Sequence, residues 1–199
     1  NWDTAHTKDN NLAPWSGDSG TVTLEQITTR TEKIRYVADS VEDANGKETT
    51  ADEKTIEYTV YDIYNADQLY CVMNAVRDVN YNVKINLCAD IDLDGENQIW
   101  YSENVNPACD QRNYWYYIEG NGYTIYNMLT RSNGSNTASF LGYLRAKDNT
   151  LNSKKVVLKN LNFSNCLVVA ATNLSAVVVG MNETRLYMEN VNVEDSFLH

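Results

Sequence analysis

The most suggestive metal-binding pattern in the sequence is the acidic run Asp90-x-Asp92-x-Asp94-Gly95. Three carboxylates at alternate positions before a glycine begin the calcium loop of an EF-hand, whose twelfth residue is a Glu that binds the ion with both oxygens. Here the twelfth residue is Tyr101, and the aspartates belong to a period-two strand pattern. We therefore predict no metal at this run and expect a solvated strand face that enters a turn at Gly95.

The cysteines are the second group of residues that could bind a metal or form covalent bonds. The four cysteines are Cys71, Cys88, Cys109 and Cys166, and none of them forms a CxxC pair. The only histidines lie near the two ends of the sequence, so a zinc site is not expected. Two alternatives remain open for the thiols: disulfides, with Cys88 to Cys109 favoured by proximity in sequence, or free thiols in a reduced compartment.

Composition limits the partners. The chain has 199 residues, 43% hydrophobic and 22% charged, which favours one globular domain with an N-terminal extension. Its net charge of -11 repels phosphate backbones and anionic lipids, so we expect no nucleic-acid partner. No apolar run is long enough to cross a bilayer, and we expect no membrane insertion.

The N-terminal third predicts an arm followed by β-strands. Residues Asn1 to Gly20 show no period, whereas β-rich pieces occur at Thr21–Leu24, Lys33–Ala38 and Thr55–Tyr64. The polar stretch that follows Ala38 contains Asn45-Gly46 and predicts a hairpin loop.

One helix and one long alternating segment come next. Asn65 is a helix N-cap candidate before Ala66 to Asp78, where an apolar stripe recurs at helical spacing at Leu69, Val72, Met73 and Val76. From Val83 to Leu93 every second residue is apolar, and the alternate positions, from Lys84 to Asp94, are polar or Cys and include the three aspartates. This alternation predicts a strand with one dry face and one wet face.

Three later segments align with one another around Asn127, Asn160 and Asn190, at spacings of 33 and 30 residues. Each Asn has an apolar residue two positions before it and another just after it. A second element, Phe140-Leu141-Gly142, matches Val178-Val179-Gly180. Repeats of this period are typical of solenoids, and Asn suits the turn because it tolerates a left-handed backbone. We expect the Asn amides to bond to one another along the stack.

The predicted fold is therefore all-β: a right-handed parallel β-helix with an N-terminal capping α-helix and a β-rich N-terminal extension. Residues 1–64 form the arm and extension packed on the solenoid, and residues 65–199 form the capping helix and the β-helix. The helix is placed to cover one apolar end. Because the last copy reaches Leu198-His199 with no cap, we expect further β-helix coils beyond His199, or another element that covers this end.

These elements resemble those of a known group. The resemblance is carried by four runs: Asn65 to Tyr70, Ile85 to Gly95 with Trp100 after it, Ile118 to Ile125, and Phe140 to Gly142. Together they are similar to bacterial cell-surface proteins of the pectate-lyase-like β-helix superfamily that carry GLUG-type repeats. The likeness spans Tyr64 to His199 and implies an extracellular protein, displayed on a bacterial surface, with an adhesive or undefined role.

The resemblance also predicts a binding surface. In the family pattern Tyr116 and Ile118 point inward, so Trp115 and Tyr117 point outward, together with Tyr126 on the next strand. Flat aromatic faces on a rigid wall can stack on sugar rings or on a partner protein. The alternative is that the N-terminal extension packs over these side chains, since its strands need an apolar surface to fold against.

We find no catalytic constellation, and the Asn-Thr-Asp, Asp-Asp and Gly-His-Gly strings of the β-helix hydrolases do not occur. The predicted function is a noncatalytic, adhesin-like module that binds a glycan or a host surface protein, without cofactor or metal. Two alternatives stand beside it. One is a fragment of a polysaccharide lyase-like enzyme, for which Asp148, Glu183 and Arg185 are the candidate residues, and the other is a purely structural stalk.

Overall fold

A computed structural model of the chain describes residues 13–14, 22–37, 53–77, 79–102, 114–132, 137–144, 155–170 and 174–199. Over these residues the fold is mostly β, as predicted, with one α-helix, α1 (Ala66–Ala75), and a 3-10 helix at Leu24–Gln26. In chain order the strands are β1 (Ala13–Pro14), β2 (Thr29–Val37), β3 (Glu53–Ile63), β4 (Val83–Leu87), β5 (Ile91–Asp92), β6 (Gln98–Ile99), β7 (Trp115–Glu119), β8 (Thr124–Tyr126), β9 (Leu129–Arg131), β10 (Thr137–Ala138), β11 (Leu141–Leu144), β12 (Lys155–Ser164), β13 (Leu167–Val169), β14 (Leu174–Ser175), β15 (Val179–Asn182), β16 (Arg185–Glu194) and β17 (Phe197–Leu198).

Most strands pair in parallel with strands far away in sequence. In the main sheet β4, β7, β12 and β16 are successive parallel neighbours, while β5 and β8 continue the sheet beside the second half of β12. A second stack contains β9, β13 and β17, and two further parallel pairs are β10 with β14 and β11 with β15. The main sheet is mixed, because β3 pairs parallel with β4 but antiparallel with β2.

The N-terminal predictions are partly confirmed. Two of the predicted pieces form the antiparallel hairpin β2–β3. The strand predicted at Thr21–Leu24 is wrong, because a 3-10 helix begins at Leu24. The Thr23 amide donates to Gln26 Oε1 at 2.7 Å and so fixes this turn. Apart from β1, which pairs parallel with β6, the predicted arm and residues 39–52 of the hairpin loop lie outside the described residues.

Helix α1 begins as predicted. The Gln68 amide donates to Asn65 Oδ1 at 3.0 Å, which satisfies one of the free N–H groups of the first turn. The helix ends at Ala75, earlier than predicted, and Asp78 lies outside the described residues. The whole predicted stripe is buried: Leu69, Val72, Met73 and Val76. It packs in the same apolar core as the inward side chains of β4, β7 and β12.

The alternation after the helix is confirmed for its dry face, although the structure divides the segment into β4 and β5. All of its inward side chains except the half-buried Ala89 are buried. On the wet face Asp90 and Asp92 are exposed, and the chain turns at Asp94, whose φ is 46°. Lys84 departs from the pattern: it points away from the core yet is only 7% exposed.

Two columns of residues with left-handed backbone mark corners of the chain, which fall between strands or, at Asn160 and Asn190, within β12 and β16. One contains Asn121, Asn160 and Asn190, with φ of 52°, 51° and 52°. The other contains Asp94, Asn127, Asn165 and Asp195, with φ of 46°, 55°, 50° and 44°. Non-glycine residues rarely adopt this conformation, and Asn and Asp do so at the least cost. The predicted conformation of the repeated Asn residues is therefore confirmed.

The predicted alignment of Asn127 with Asn160 is wrong. Strand register pairs Ile125 with Phe163, and Asn165 Nδ2 donates to Asn127 Oδ1 at 2.7 Å across 38 positions. Asn160 stacks instead with Asn190, whose Nδ2 donates to Asn160 Oδ1 at 3.0 Å across 30 positions. Because two corners with similar flanking residues occur in each copy, the sequence pattern matched the second corner of one copy to the first corner of the next.

The second repeat element is confirmed. Leu141 pairs with Val179 in the β11–β15 ladder, and this register places Gly142 beside Gly180. A Cβ atom on Gly142 would lie 2.6 Å from Ser102 Oγ, so the close approach of neighbouring chain segments requires glycine there.

We predict that Asn160→Ala lowers the free energy of unfolding by about 2–3 kcal/mol. The change places alanine at φ 51° and removes amide bonds to Glu119 and Asn190. Asn160→Gly should cost less, because glycine accepts the backbone conformation. Urea unfolding of Asn192→Ala is the matched control, since Asn192 also bonds along its column, to Asn162, but is not in the left-handed region. Equal losses for Asn160→Ala and Asn192→Ala would contradict the role of the corner.

Candidate functional site: the outer face of the main sheet

The predicted binding residues lie on or near the outer face of the main sheet. Along β7 the side chains of Tyr116 and Ile118 are fully buried in the interior, as expected. Trp115 and Tyr117 consequently point to the other side, where they meet side chains of the β2–β3 hairpin. The direction of each β7 side chain is therefore the predicted one.

Tyr117 is predicted to lie on an accessible binding surface, but in the structure its side chain is covered. Its side chain is only 6% exposed, and the ring of Tyr58 lies edge-on to it with centroids 6.0 Å apart. Its hydroxyl donates to Glu119 Oε2 at 2.7 Å, and burial together with this bond raises the pKa of Tyr117. The covering hairpin, which was the alternative expectation, explains this burial: Ile56 and Tyr58 bury their own apolar surface on the same face.

Trp115 is half-buried and lies between two other aromatic rings. The Tyr36 ring stacks on it at a centroid distance of 5.1 Å and the Tyr187 ring at 6.3 Å, with interplanar angles of 21° and 20°. Tyr36 approaches from β2 and Tyr187 from β16, on opposite sides of β7 in the strand order. Tyr187 is 51% exposed, so it carries the accessible ring of this group. We call Tyr36, Tyr58, Trp115, Tyr117 and Tyr187 the outer aromatic cluster.

Tyr126 is not part of this cluster. It lies on β8, which follows the corner at Asn121, and it is half-buried beside the acidic run. Slight burial and the charges of Asp92 and Asp90 raise the pKa of its hydroxyl. The two carboxylates bond to neighbouring chain segments, Asp90 to the Thr124 amide and Asp92 to the Asn127 side chain.

Sequence reasoning missed three contributors: Tyr36, Tyr58 and Tyr187. A signal was present in β3, where apolar residues alternate at Ile56, Tyr58 and Val60 and indicate an outward apolar face. The place where that face packs could not be read from the pattern, because it depends on how the hairpin folds over the sheet.

Positive charge collects beside the cluster. The Lys155 ammonium lies 4.6 Å from the centroid of the Trp115 ring, within the range of a cation–π interaction. Burial, followed by the nearby charges of Lys54 and Arg185, lowers the pKa of Lys155. In a chain with a net charge of -11, this grouping of cations beside the half-buried Trp115 ring is a local exception. It can hold an anionic group while the ring contacts an apolar face.

An ion pair joins the hairpin to the sheet. Lys84 Nζ lies 3.0 Å from Glu32 Oε1, and this pairing explains why Lys84 is buried on the face that the sequence predicted to be wet. Burial by itself would raise the pKa of Glu32, but hydrogen bonds from Arg30 and Lys84 outweigh it and lower that pKa.

Within the described part of the chain, no group of three or more His, Cys, Asp or Glu side chains is arranged to hold a metal ion. Cys71, Cys88 and Cys166 are free thiols, and Cys109, the predicted partner of Cys88, lies outside the described residues. Burial raises the pKa of both Cys71 and Cys166, which lowers their thiolate content.

Comparison with known proteins identifies no family. The chain matches no family model, no curated protein and no solved structure. Among the described helices, none has the length and apolar character needed to span a bilayer.

We predict that Glu32→Gln lowers the free energy of unfolding at neutral pH and makes this free energy less dependent on pH in the acid range. The lowered pKa of Glu32 stabilises the fold above the ordinary carboxyl value of about 4.3, and this contribution disappears as the pH falls through the lower folded value. Urea unfolding at a series of pH values measures both effects. Glu57→Gln removes an exposed partner of Lys33 and is the control that should change little. An unchanged pH dependence in Glu32→Gln would contradict this assignment.

Proposed function

We propose that the chain is a noncatalytic module of a bacterial cell-surface protein, folded as a right-handed parallel β-helix, that binds a glycan or a host protein in an adhesin-like manner. The parallel strand stacks and the two columns of left-handed corners support the β-helix. The apolar face of α1 packs against the interior beside β3 and β4, which supports its role as a cap. The extracellular location rests on the resemblance described from the sequence.

The observation that carries the binding proposal is the accessible ring of Tyr187, stacked on Trp115 beside Lys155. Sugar rings have an apolar face that packs on flat aromatic side chains, and a rigid strand holds such a side chain at little entropic cost. The neighbouring cations favour a sugar that carries a carboxylate or sulfate. Among glycans and host proteins, the geometry therefore favours an acidic glycan.

The test is a glycan array that contains neutral sugars and uronic or sulfated sugars, followed by titration calorimetry on the best ligand. We expect binding to acidic glycans and a loss of about tenfold or more in affinity for Tyr187→Ala. Lys155→Gln should weaken acidic ligands more than neutral ones, because it removes charge and keeps most of the side-chain volume.

Tyr64→Ala is the matched control, since Tyr64 is 54% exposed at the start of α1 and lies outside the outer aromatic cluster. An array without binding would contradict the glycan proposal, as would a ligand whose affinity is the same for Tyr187→Ala and Tyr64→Ala. Capture of a host protein that depends on Tyr187 would move the proposal from glycan to protein recognition.

A second candidate function is a structural stalk, favoured by the exposed apolar residues at the β16 end. Met188, Val193, Phe197 and Leu198 are 47%, 47%, 60% and 63% exposed, respectively. Further β-helix coils beyond His199 would cover these side chains and continue the parallel stack. If the chain is a stalk, no ligand should bind with an affinity that depends on Tyr187, in contrast to the binding module.

A further inference from the structure

Strand β16 presents an apolar edge. Within the described part of the chain it pairs only with β12, so its other edge has no strand partner there. Its inward-facing side chains are also the least covered of the main sheet: Met188 and Val193 are each 47% exposed, and Leu186 and Val191 are half-buried. An exposed strand edge with apolar side chains favours pairing with another strand.

The corner at Asn190, with φ of 52°, makes β16 self-complementary. Before the corner the inward residues are even-numbered, Leu186 and Met188, and after it they are odd-numbered, Val191 and Val193. A two-fold axis through this corner relates two copies of the chain. It places the first half of β16 in one copy antiparallel to the second half of β16 in the other. In the register that sets Leu186 opposite Val193, Met188 falls opposite Val191. Every inward side chain thus meets an inward side chain.

The charges match in the same register. Arg185 falls opposite Glu194, and the two-fold axis creates this pair twice. Within one chain Arg185 is paired in register with Lys155, a like charge that opposes it across the ladder. In the dimer a carboxylate of the second copy lies on the side of Arg185 away from Lys155. Both Arg185 and Glu194 are exposed.

We propose that the chain binds a second copy of itself through the β16 edge, antiparallel about the corner at Asn190. Because both copies use the same surface, this isologous contact forms a closed dimer and does not extend to further copies. The other edge strands of the main sheet are β2 and β5, and neither contains a left-handed corner like that at Asn190. A further coil of a longer β-helix would pair with β16 in parallel, as β12 does, whereas the second copy pairs antiparallel.

Sedimentation equilibrium of the 199-residue chain tests the proposal. We expect a dimer, and we expect Arg185→Glu and Glu194→Arg each to raise its Kd by about tenfold. The double variant R185E/E194R should restore dimerisation, because the swapped charges again face each other. The control is K33E/E57K, a swap of an exposed pair on the β2–β3 hairpin, which should leave the Kd unchanged.

Cysteine cross-linking provides the second measurement. Leu186→Cys and Val193→Cys are made separately, and circular dichroism confirms that each folds. Mixed and oxidised, the two variants should give a cross-linked dimer, whereas each alone should give no more than the native cysteines do. A chain that is monomeric up to about 1 mM would overturn the proposal. So would assembly that the double charge swap fails to restore, or cross-linking of Leu186→Cys alone at the level of the mixture.

Discussion

The structure depends on the left-handed corner occupied by Asn or Asp. At these corners a short side chain accepts a backbone conformation that most residues avoid. At Asn165 and Asn190 the side-chain amide also donates to the corner of the neighbouring copy, Asn127 and Asn160 respectively. The corner therefore turns the chain and fixes the register of the next parallel strand. Because each bond joins residues 30 to 38 positions apart, the stack is held by long-range contacts. A change at one corner is felt in the strands on both sides of it.

The hairpin β2–β3 decides which surface of this stack meets solvent. It buries Tyr117 and pairs Glu32 with Lys84, so an aromatic and a cation that point away from the core are both covered. What stays accessible is the ring of Tyr187, at the side of the cluster away from the hairpin. The covering element thus leaves only the Tyr187 side of Trp115 accessible. Lys155, which lies over the Trp115 ring, belongs to β12, and the nearby Arg185 belongs to β16.

The two ends of the main sheet differ in the same physical terms. At one end α1 and the β2–β3 hairpin bury the apolar interior, and at the other the side chains of β16 and β17 are exposed. Exposed apolar area of this kind is costly in water, and covering it by any strand of matching pattern is favourable. A second copy would cover this end with an antiparallel strand, whereas a further coil would cover it with a parallel one.

The sequence by itself determined the local features. Alternation predicted the dry face from Val83 to Leu93, the Asn65 cap and apolar stripe predicted α1, and the repeated Asn residues predicted left-handed turns; each depends on the chemistry of neighbouring residues. Only the tertiary structure decided that Asn127 stacks on Asn165, that Lys84 is buried, and that Tyr117 is covered while Tyr187 is not. Those outcomes depend on which distant segments lie side by side. Because the two corners of a copy have nearly the same local sequence, the sequence does not specify which corner of the next copy each one stacks on. The burial of a side chain depends on the tertiary packing of the whole chain, so the local sequence around a residue does not predict which segment covers it.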